Sequence, residues 1–262
     1  MDSQSTYWAD RAALEWLAEL GADEAILEAP VNRYEVAATP PQALPQPPSG
    51  APATSEAPPA LPVIPEVDHL ADARALAAGA QDLAALHAAL EAYEGCSLKA
   101  GSRQTLFSKG DPAARLLVVV DPPDRNADRS GALLAGPEGL LLDNMLAAIG
   151  MGFDRSADAA VYAAPALPWR TMKDGPAQDA DLELIRPFLH RHIALAAPQV
   201  VLFLGQNAAR AVLGEAPPRG NWGEALGRPA LSMRSPRHLL RRPQDKRDAW
   251  ADLLALKQRL AP

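Results

Sequence analysis

Two runs, Leu116-Leu117-Val118-Val119-Val120 and Val200-Val201-Leu202-Phe203-Leu204, constrain the fold of this chain more than any other feature. Each is apolar at every position and too short for a buried helix, so each reads as a strand. A strand apolar on both faces must be covered on both, which is the situation of an interior strand in a parallel sheet. Helical patterns separate and follow these runs. Gly139–Ile149 carries Leu140, Leu141, Leu142, Met145, Leu146 and Ile149. Asp179–Ala197 is helical, with a disturbance at Pro187, and Gln206–Leu213 opens a helix directly after Gly205. Val161–Leu167 is a weaker strand interrupted by Pro165, and Leu231–Met233 is a short last strand. Pro243–Leu260 reads as a charged amphipathic helix with proline at its first position. Strand and helix alternating in this way predict a three-layer α/β/α fold on a four-stranded, mainly parallel sheet.

The first third of the chain is organised differently. Residues 5–20 place Trp8, Ala12, Trp16, Leu17 and Leu20 at near-helical spacing, with Gly21 as the stop. A second short helix is expected over Asp23–Glu28. Residues 37–66 hold ten prolines among Ala, Gln, Ser and Thr, which predicts an extended, largely disordered linker. Residues 68–92 return to an alanine-rich helical pattern. The expected organisation is a helical extension over 1–36, a Pro/Ala-rich linker over 37–66 and an α/β domain over 67–262.

No run approaches about 18 apolar residues, so no membrane span is expected. Met1-Asp2-Ser3-Gln4-Ser5 lacks basic and apolar regions, so no signal peptide is expected. A single cysteine, Cys96, excludes an internal disulfide framework and a multi-cysteine metal site, and points to a reducing cytoplasm. His190 and His192 fall on different sides of their helix, so a shared metal is not expected. The net charge of −7 is unevenly spread. Residues 1–70 hold eleven acidic and two basic side chains, whereas 219–247 hold eight basic and two acidic ones. The basic stretch permits nucleic-acid binding. An ordinary solvated face is the plainer reading.

The chemistry-bearing residues follow strand ends, where open α/β sheets bind ligands. Ser235-Pro236-Arg237-His238-Leu239-Leu240-Arg241 comes just after the last strand and crowds arginines around a helix start, a natural place for a phosphate. Leu204-Gly205-Gln206-Asn207-Ala208-Ala209 follows the strand before it. Upstream lie Asp128-Arg129-Ser130-Gly131, Gly136-Pro137-Glu138-Gly139-Leu140-Leu141-Leu142-Asp143-Asn144-Met145-Leu146 and Val161-Tyr162. Leu239–Pro243 and Lys246–Leu253 follow downstream. In order and spacing these pieces resemble the uracil-DNA glycosylase superfamily, nearest its family-4 branch, from about Cys96 to Leu256. Gly21-Ala22-Asp23-Glu24-Ala25-Ile26 also resembles extensions on bacterial members of that branch.

The resemblance implies DNA base-excision chemistry, carried over position by position. The family's acid after the first strand survives as the shorter Asp121, read equally as the catalytic carboxylate that orients water near the sugar and as a turn acid capping a backbone amide. The phenylalanine on which the flipped base stacks maps to Leu134, and the asparagine that reads the base edge maps to Pro165. With Pro122 and Gly205 these would line a base pocket. The histidine opening the last motif maps to Ser235, which is read as the N-cap of a helix with Pro236 at its first position. His238 either replaces that histidine or is a surface side chain touching a phosphate or nothing. Ser235, Pro236, Arg237, Arg241 and Arg242 are the expected DNA contacts, with Leu239 as an apolar wedge. The four cluster-binding cysteine positions of the branch fall at Tyr93, Cys96, Trp169 and Ile185, so no iron–sulfur cluster is expected. Trp169 then fills the vacated volume or, less simply, stacks on a base, and Cys96 is an inert leftover.

Three functions fit these residues. One is a DNA glycosylase with altered or weakened activity. Another is an inactive relative that binds DNA or a protein partner, with residues 1–36 as a candidate docking segment. The third is a nucleotide or phosphate binder that uses the same crevice. A monomer is expected in each case.

Overall fold

The two apolar runs lie side by side in the middle of a six-stranded sheet. A computed structural model describes residues 68–172 and 175–261, together with Arg11 and Trp16. From residue 68 onward two helices come first, α1 (His69–Gly79) and α2 (Leu83–Ala92). They are followed by β1 (Lys109–Gly110), β2 (Leu116–Val120), α3 (Arg125–Ser130), α4 (Pro137–Ala148) and β3 (Val161–Pro165). Then come α5 (Asp179–Ala196), β4 (Val200–Leu204), α6 (Gln206–Leu213), β5 (Trp222–Ala225) and β6 (Arg228–Met233). The short α7 (Pro236–Arg241) and the long α8 (Lys246–Leu260) close the chain. These residues belong to one compact unit, Ile64–Pro262.

The strand order is β1-β3-β2-β4-β6-β5. β2 pairs in parallel with β3 and β4, with Val118 opposite Ala163 and Leu202, and β4 pairs in parallel with β6. These are the four strands expected from sequence. The difference lies at the edges, where β1 and β5 add antiparallel strands. Neither carries an apolar run, because an edge strand is not covered on both faces. β1 is two residues long, and three of the four residues of β5 are exposed.

Alternation along each interior strand builds two cores. Leu117, Val119, Tyr162, Ala164, Val201 and Phe203 face α1, α2, α5 and α6. Leu116, Val118, Val120, Val161, Ala163, Leu202 and Leu204 face α4, α7 and α8. Each fully buried Val, Leu or Phe contributes roughly 1.5–3 kcal/mol of transfer free energy. This doubled burial is why β2 and β4 need no polar positions.

Several boundaries differ from expectation for local reasons. The 68–92 stretch is two helices, because Asp82 leaves the helical region and caps α2, its Oδ1 accepting from Ala85 N at 2.7 Å. α8 starts at Lys246, and Pro243–Asp245 forms a separate 3-10 turn ahead of it. β6 starts at Arg228 because a hairpin through Leu226 and Gly227, both at positive φ, zips it onto β5. The extension and linker expected over residues 1–66 fall outside the described residues except for Arg11 and Trp16, which are helical. Among the described residues no helix is long and apolar enough to cross a membrane.

Candidate functional site

The chain reverses direction across the sheet between β2 and β4, and their carboxyl ends open a crevice there. β2 delivers Asp121, β4 delivers Gly205, and β6 delivers Arg234 and Ser235. Together with Asn207 and His238 they line a cavity of about 830 Å³.

Asp121 sits against the bare backbone of Gly205. A Cβ on Gly205 would stand 2.3 Å from Asp121 Oδ2, and the residue has φ +104°, so only glycine fits on both counts. Asp121 Oδ1 is buried and has no hydrogen-bond partner. Burial pushes this carboxyl up to about 6. Hydrogen bonding from Ser235, the charge of Arg237 and hydrogen bonding from Asn207 oppose the rise, and the charge of Glu138 adds to it.

Ser235 is the N-cap of α7, its Oγ accepting from His238 N at 3.4 Å, with Pro236 at the first helical position. Both are buried. Arg237 is already engaged: Nε donates to Glu138 Oε1 at 2.7 Å and Nη2 donates to the Pro122 carbonyl at 3.4 Å. His238 is neither a bare surface histidine nor unattached. Its Nε2 stands 2.6 Å from Asp245 Oδ2 and 2.9 Å from Arg234 Nη1, which is 3.1 Å from the same carboxylate oxygen. The hydrogen bond with His238, and then the charge of Arg234, hold Asp245 below the usual carboxylate range.

The structure corrects one expected contact. Leu239 is fully buried in the core with Met233 and Leu253, so it cannot wedge into a duplex as placed. The cap at Ser235 sets the rotation of α7, which turns Leu239 inward and leaves Leu240 exposed. Arg241 and Arg242 are exposed beside it.

The expected base-pocket residues are only partly brought together. Gly205 lines the crevice, whereas Pro122, Leu134 and Pro165 do not. Pro122 is buried under Arg237. Leu134 holds φ 64°, a costly conformation for a branched side chain. Its carbonyl oxygen lies 1.6 Å from where a Cβ on Gly139 would be, so Gly139 is what lets α4 approach that loop. Pro165 ends β3 opposite Val120 and lines a separate small cleft with Phe107 and His192. Asn207, Arg210, Arg219 and Arg234 line the crevice but escaped the sequence reading. A position two residues past Gly205, or directly after the last strand, was the available signal.

The residues at the four cluster positions do not fit an iron–sulfur cluster. Tyr93 Oη donates to the His69 carbonyl at 3.0 Å, Trp169 Nε1 donates to Thr105 Oγ1 at 3.1 Å, and Ile185 is core. Cys96 is buried 3.9 Å from Asp181 Oδ1, and burial pushes its thiol up to about 11, away from the thiolate a metal needs. Trp169 is buried and packs in the same core as Tyr93, Cys96 and Ile185, the volume-filling role. His190 Nε2 pairs with the Val212 carbonyl and His192 Nε2 with Tyr162 Oη, each at 2.8 Å, so the two histidines have separate partners. Among the described residues no group of three or more His, Cys, Asp or Glu side chains is placed to hold a metal.

A parallel sheet with a buried carboxylate at its switch point and a capped basic helix beside it defines a doubly wound α/β protein with a polar ligand crevice. The family model described as the uracil DNA glycosylase superfamily matches residues 107–254, from just ahead of β1 into α8. The chain belongs to that superfamily and is a uracil-DNA glycosylase-like protein.

Proposed function

We propose that this protein hydrolyses the N-glycosidic bond of uracil or another damaged base in DNA, as a divergent relative of the family-4 branch with altered or weakened activity. The observation that carries this reading is Asp121, a carboxylate at the switch point whose Oδ1 has no partner and which lines the crevice. Such hydrolysis requires the nucleotide flipped out of the stack. A carboxylate near the sugar then orients water and stabilises developing positive charge. Asp121 is assigned that role. Gly205 is assigned to the floor under the base, whereas Pro122, Leu134 and Pro165 lie off the crevice.

Arg241 and Arg242, exposed at the end of α7, are assigned to phosphates. Ser235, Pro236 and Leu239 support that helix from within, and Arg237 braces it on Glu138. Leu240 takes the outward apolar position. His238 acts at the crevice as part of its cluster with Arg234 and Asp245.

A second reading has support of its own, that of a DNA-binding relative without the chemistry. Pro165 offers no polar group to a base edge, and a bare wall cannot reward the correct hydrogen-bond pattern. His238 Nε2 is tied to Asp245. A single-turnover assay separates the readings, with protein in excess over single- and double-stranded uracil oligonucleotides and Asp121→Ala alongside. Abasic sites that vanish in the variant support the enzyme. No product, with binding that weakens as salt rises, supports the second reading, and binding insensitive to DNA altogether returns the crevice to a small phosphate ligand.

We propose further that the protein works without an iron–sulfur cluster, as a monomer, in the cytoplasm. Iron near one cluster per chain with broad visible absorption in the purified protein would defeat the first point. Residues 1–36 are proposed to dock a protein partner. A partner bound equally well after deletion of residues 1–66 would remove that role.

A further inference from the structure

We propose that Asp245 is the positioning residue of His238: it holds the imidazole proton on Nε2, so that Nδ1 is the nitrogen offered to the crevice, as a hydrogen-bond acceptor. This deepens the proposed function and rests on the reading of the crevice as the working site.

One ring nitrogen stands between two groups that ask opposite things of it. His238 Nε2 lies 2.6 Å from Asp245 Oδ2 and 2.9 Å from Arg234 Nη1. A guanidinium only donates and a carboxylate only accepts. Arg234 would therefore need a bare lone pair on Nε2, and Asp245 needs a proton there. A lone pair so close to a carboxylate oxygen is repelled, and so short a contact is that of a charge-assisted hydrogen bond. Arg234 has another acceptor, because its Nη1 also lies 3.1 Å from Asp245 Oδ2. Both donors thus converge on one carboxylate, and the neutral ring keeps its proton on Nε2.

The backbone assembles this cluster without a ligand. His238 N donates to Ser235 Oγ, the cap that directly follows Arg234. Arg242 N donates to the His238 carbonyl at 2.8 Å, and Asp245 N donates to the Arg242 carbonyl at 3.1 Å. Asp245 closes the 3-10 turn Pro243–Asp245 and stands behind the ring, its side chain 17% exposed against 35% for His238. Arg234 and His238 line the crevice and Asp245 does not. The charge of Arg242 also favours the ionised Asp245, and the charge of Arg234 bears on Asp252 of α8 as well. His238 Nδ1 has no hydrogen-bond partner among the described residues and is not sealed from solvent. The two ring nitrogens point nearly opposite ways, so turning Nε2 back to Asp245 turns Nδ1 towards the opening. The neutral side chain therefore accepts from a water, a hydroxyl or an N–H of the ligand, and has no proton for a carbonyl oxygen.

Nitrogen-15 NMR on the full chain without ligand reads where the proton sits, at a pH high enough to keep the ring neutral. Loss of the signals in His238→Gln assigns them. The parent is expected to carry the proton on Nε2. Asp245→Ala is expected to move it to Nδ1, because Arg234 then donates to Nε2 unopposed, a swap that loss of packing alone does not produce. Arg234→Ala is expected to leave it on Nε2. A parent with the proton on Nδ1 overturns the proposal, and so does an Asp245→Ala variant that keeps the parent tautomer. Should Asp245→Ala not fold, the parent and Arg234→Ala decide, and a proton on Nδ1 in either overturns it. The tautomer is read whether or not the protein cleaves DNA, so failure of the glycosylase reading and failure of the positioning are separate results.

Discussion

At neutral pH Asp121 carries a negative charge where burial penalises it. Its carboxyl is raised from 3.8 to about 6, so the folded protein favours the protonated acid. That contribution to stability is complete below pH 3.8 and is lost as pH rises through about 6. Asp121→Asn should therefore match the parent near pH 3.5, gain on it between pH 4 and 6, and exceed it at pH 7.5 by up to about 3 kcal/mol. Denaturant unfolding across that range measures the gain. The same variant should lose about 10²–10⁴-fold in single-turnover rate if the carboxylate is a general base. Gly205→Ala has the opposite character. Its Cβ would meet Asp121 Oδ2 and its φ would be strained, so it should cost about 1–3 kcal/mol in unfolding experiments and lower the rate as well. Asp121, Gly205 and Ser235 were legible in sequence because each follows an apolar run. Asn207 was not, since an asparagine in a first helical turn carries no sign of which way its amide faces. The choice between Leu239 and Leu240 was equally hidden, because it depends on the rotation of a helix only six residues long.

One polar seam holds the elements on the α5 side of the sheet. The rings of His87, Phe107 and His192 stack with centroids 4.6 and 4.4 Å apart, joining α2, the loop before β1 and α5. Tyr162 on β3 completes the seam through its hydroxyl on His192. Burial, and then the charge of His87, lower His192 to about 4, so it is neutral in the fold. Its contribution is present above pH 6.5 and is lost as pH falls through about 4. That amounts to roughly 3 kcal/mol of acid destabilisation. His192→Gln should flatten the acid side of the stability profile, which urea unfolding at pH 4 and pH 7 checks. Trp169→Ala should cost about 3–5 kcal/mol by emptying the volume beside Tyr93 and Ile185. At this scale β2, β4 and α6 were read from sequence to the residue, because burial on both faces or a sharp glycine start leaves a strong pattern. β1, β5 and α3 were not. The first two are edges, and Arg125–Ser130 has no apolar stripe, its start fixed by Asp124 accepting from Ala127 N.

For the whole molecule, the alternation of strand and helix was enough to read the interior of the sheet, and the order of short motifs was enough to read its ancestry. Neither shows how the charges are committed. Of the basic residues near the C-terminus, Arg234 and Arg237 are spent on Asp245 and Glu138, whereas Arg241 and Arg242 are exposed. DNA affinity should fall steeply with salt, and each alanine at Arg241 or Arg242 should reduce the slope by about 1. Fluorescence anisotropy on a labelled oligonucleotide at several salt concentrations measures it. Arg237→Ala should instead lower stability, since it leaves Glu138 without its partner.

The contact between Asp121 and Gly205 also acts as a gauge of sheet alignment. Val120 pairs with Leu204, so the residues that follow them meet only in this one register. A slip of β4 by one residue would bring Leu204 or Gln206 under the carboxylate, and neither leaves room for it. The two residues lie more than eighty positions apart in the chain, so no fragment assembled from neighbouring segments can make the contact. On the proposed reading of Asp121, a partly folded chain is thus barred from assembling the site, and regain of any glycosylase activity on refolding should report closure of the central sheet rather than formation of any single helix.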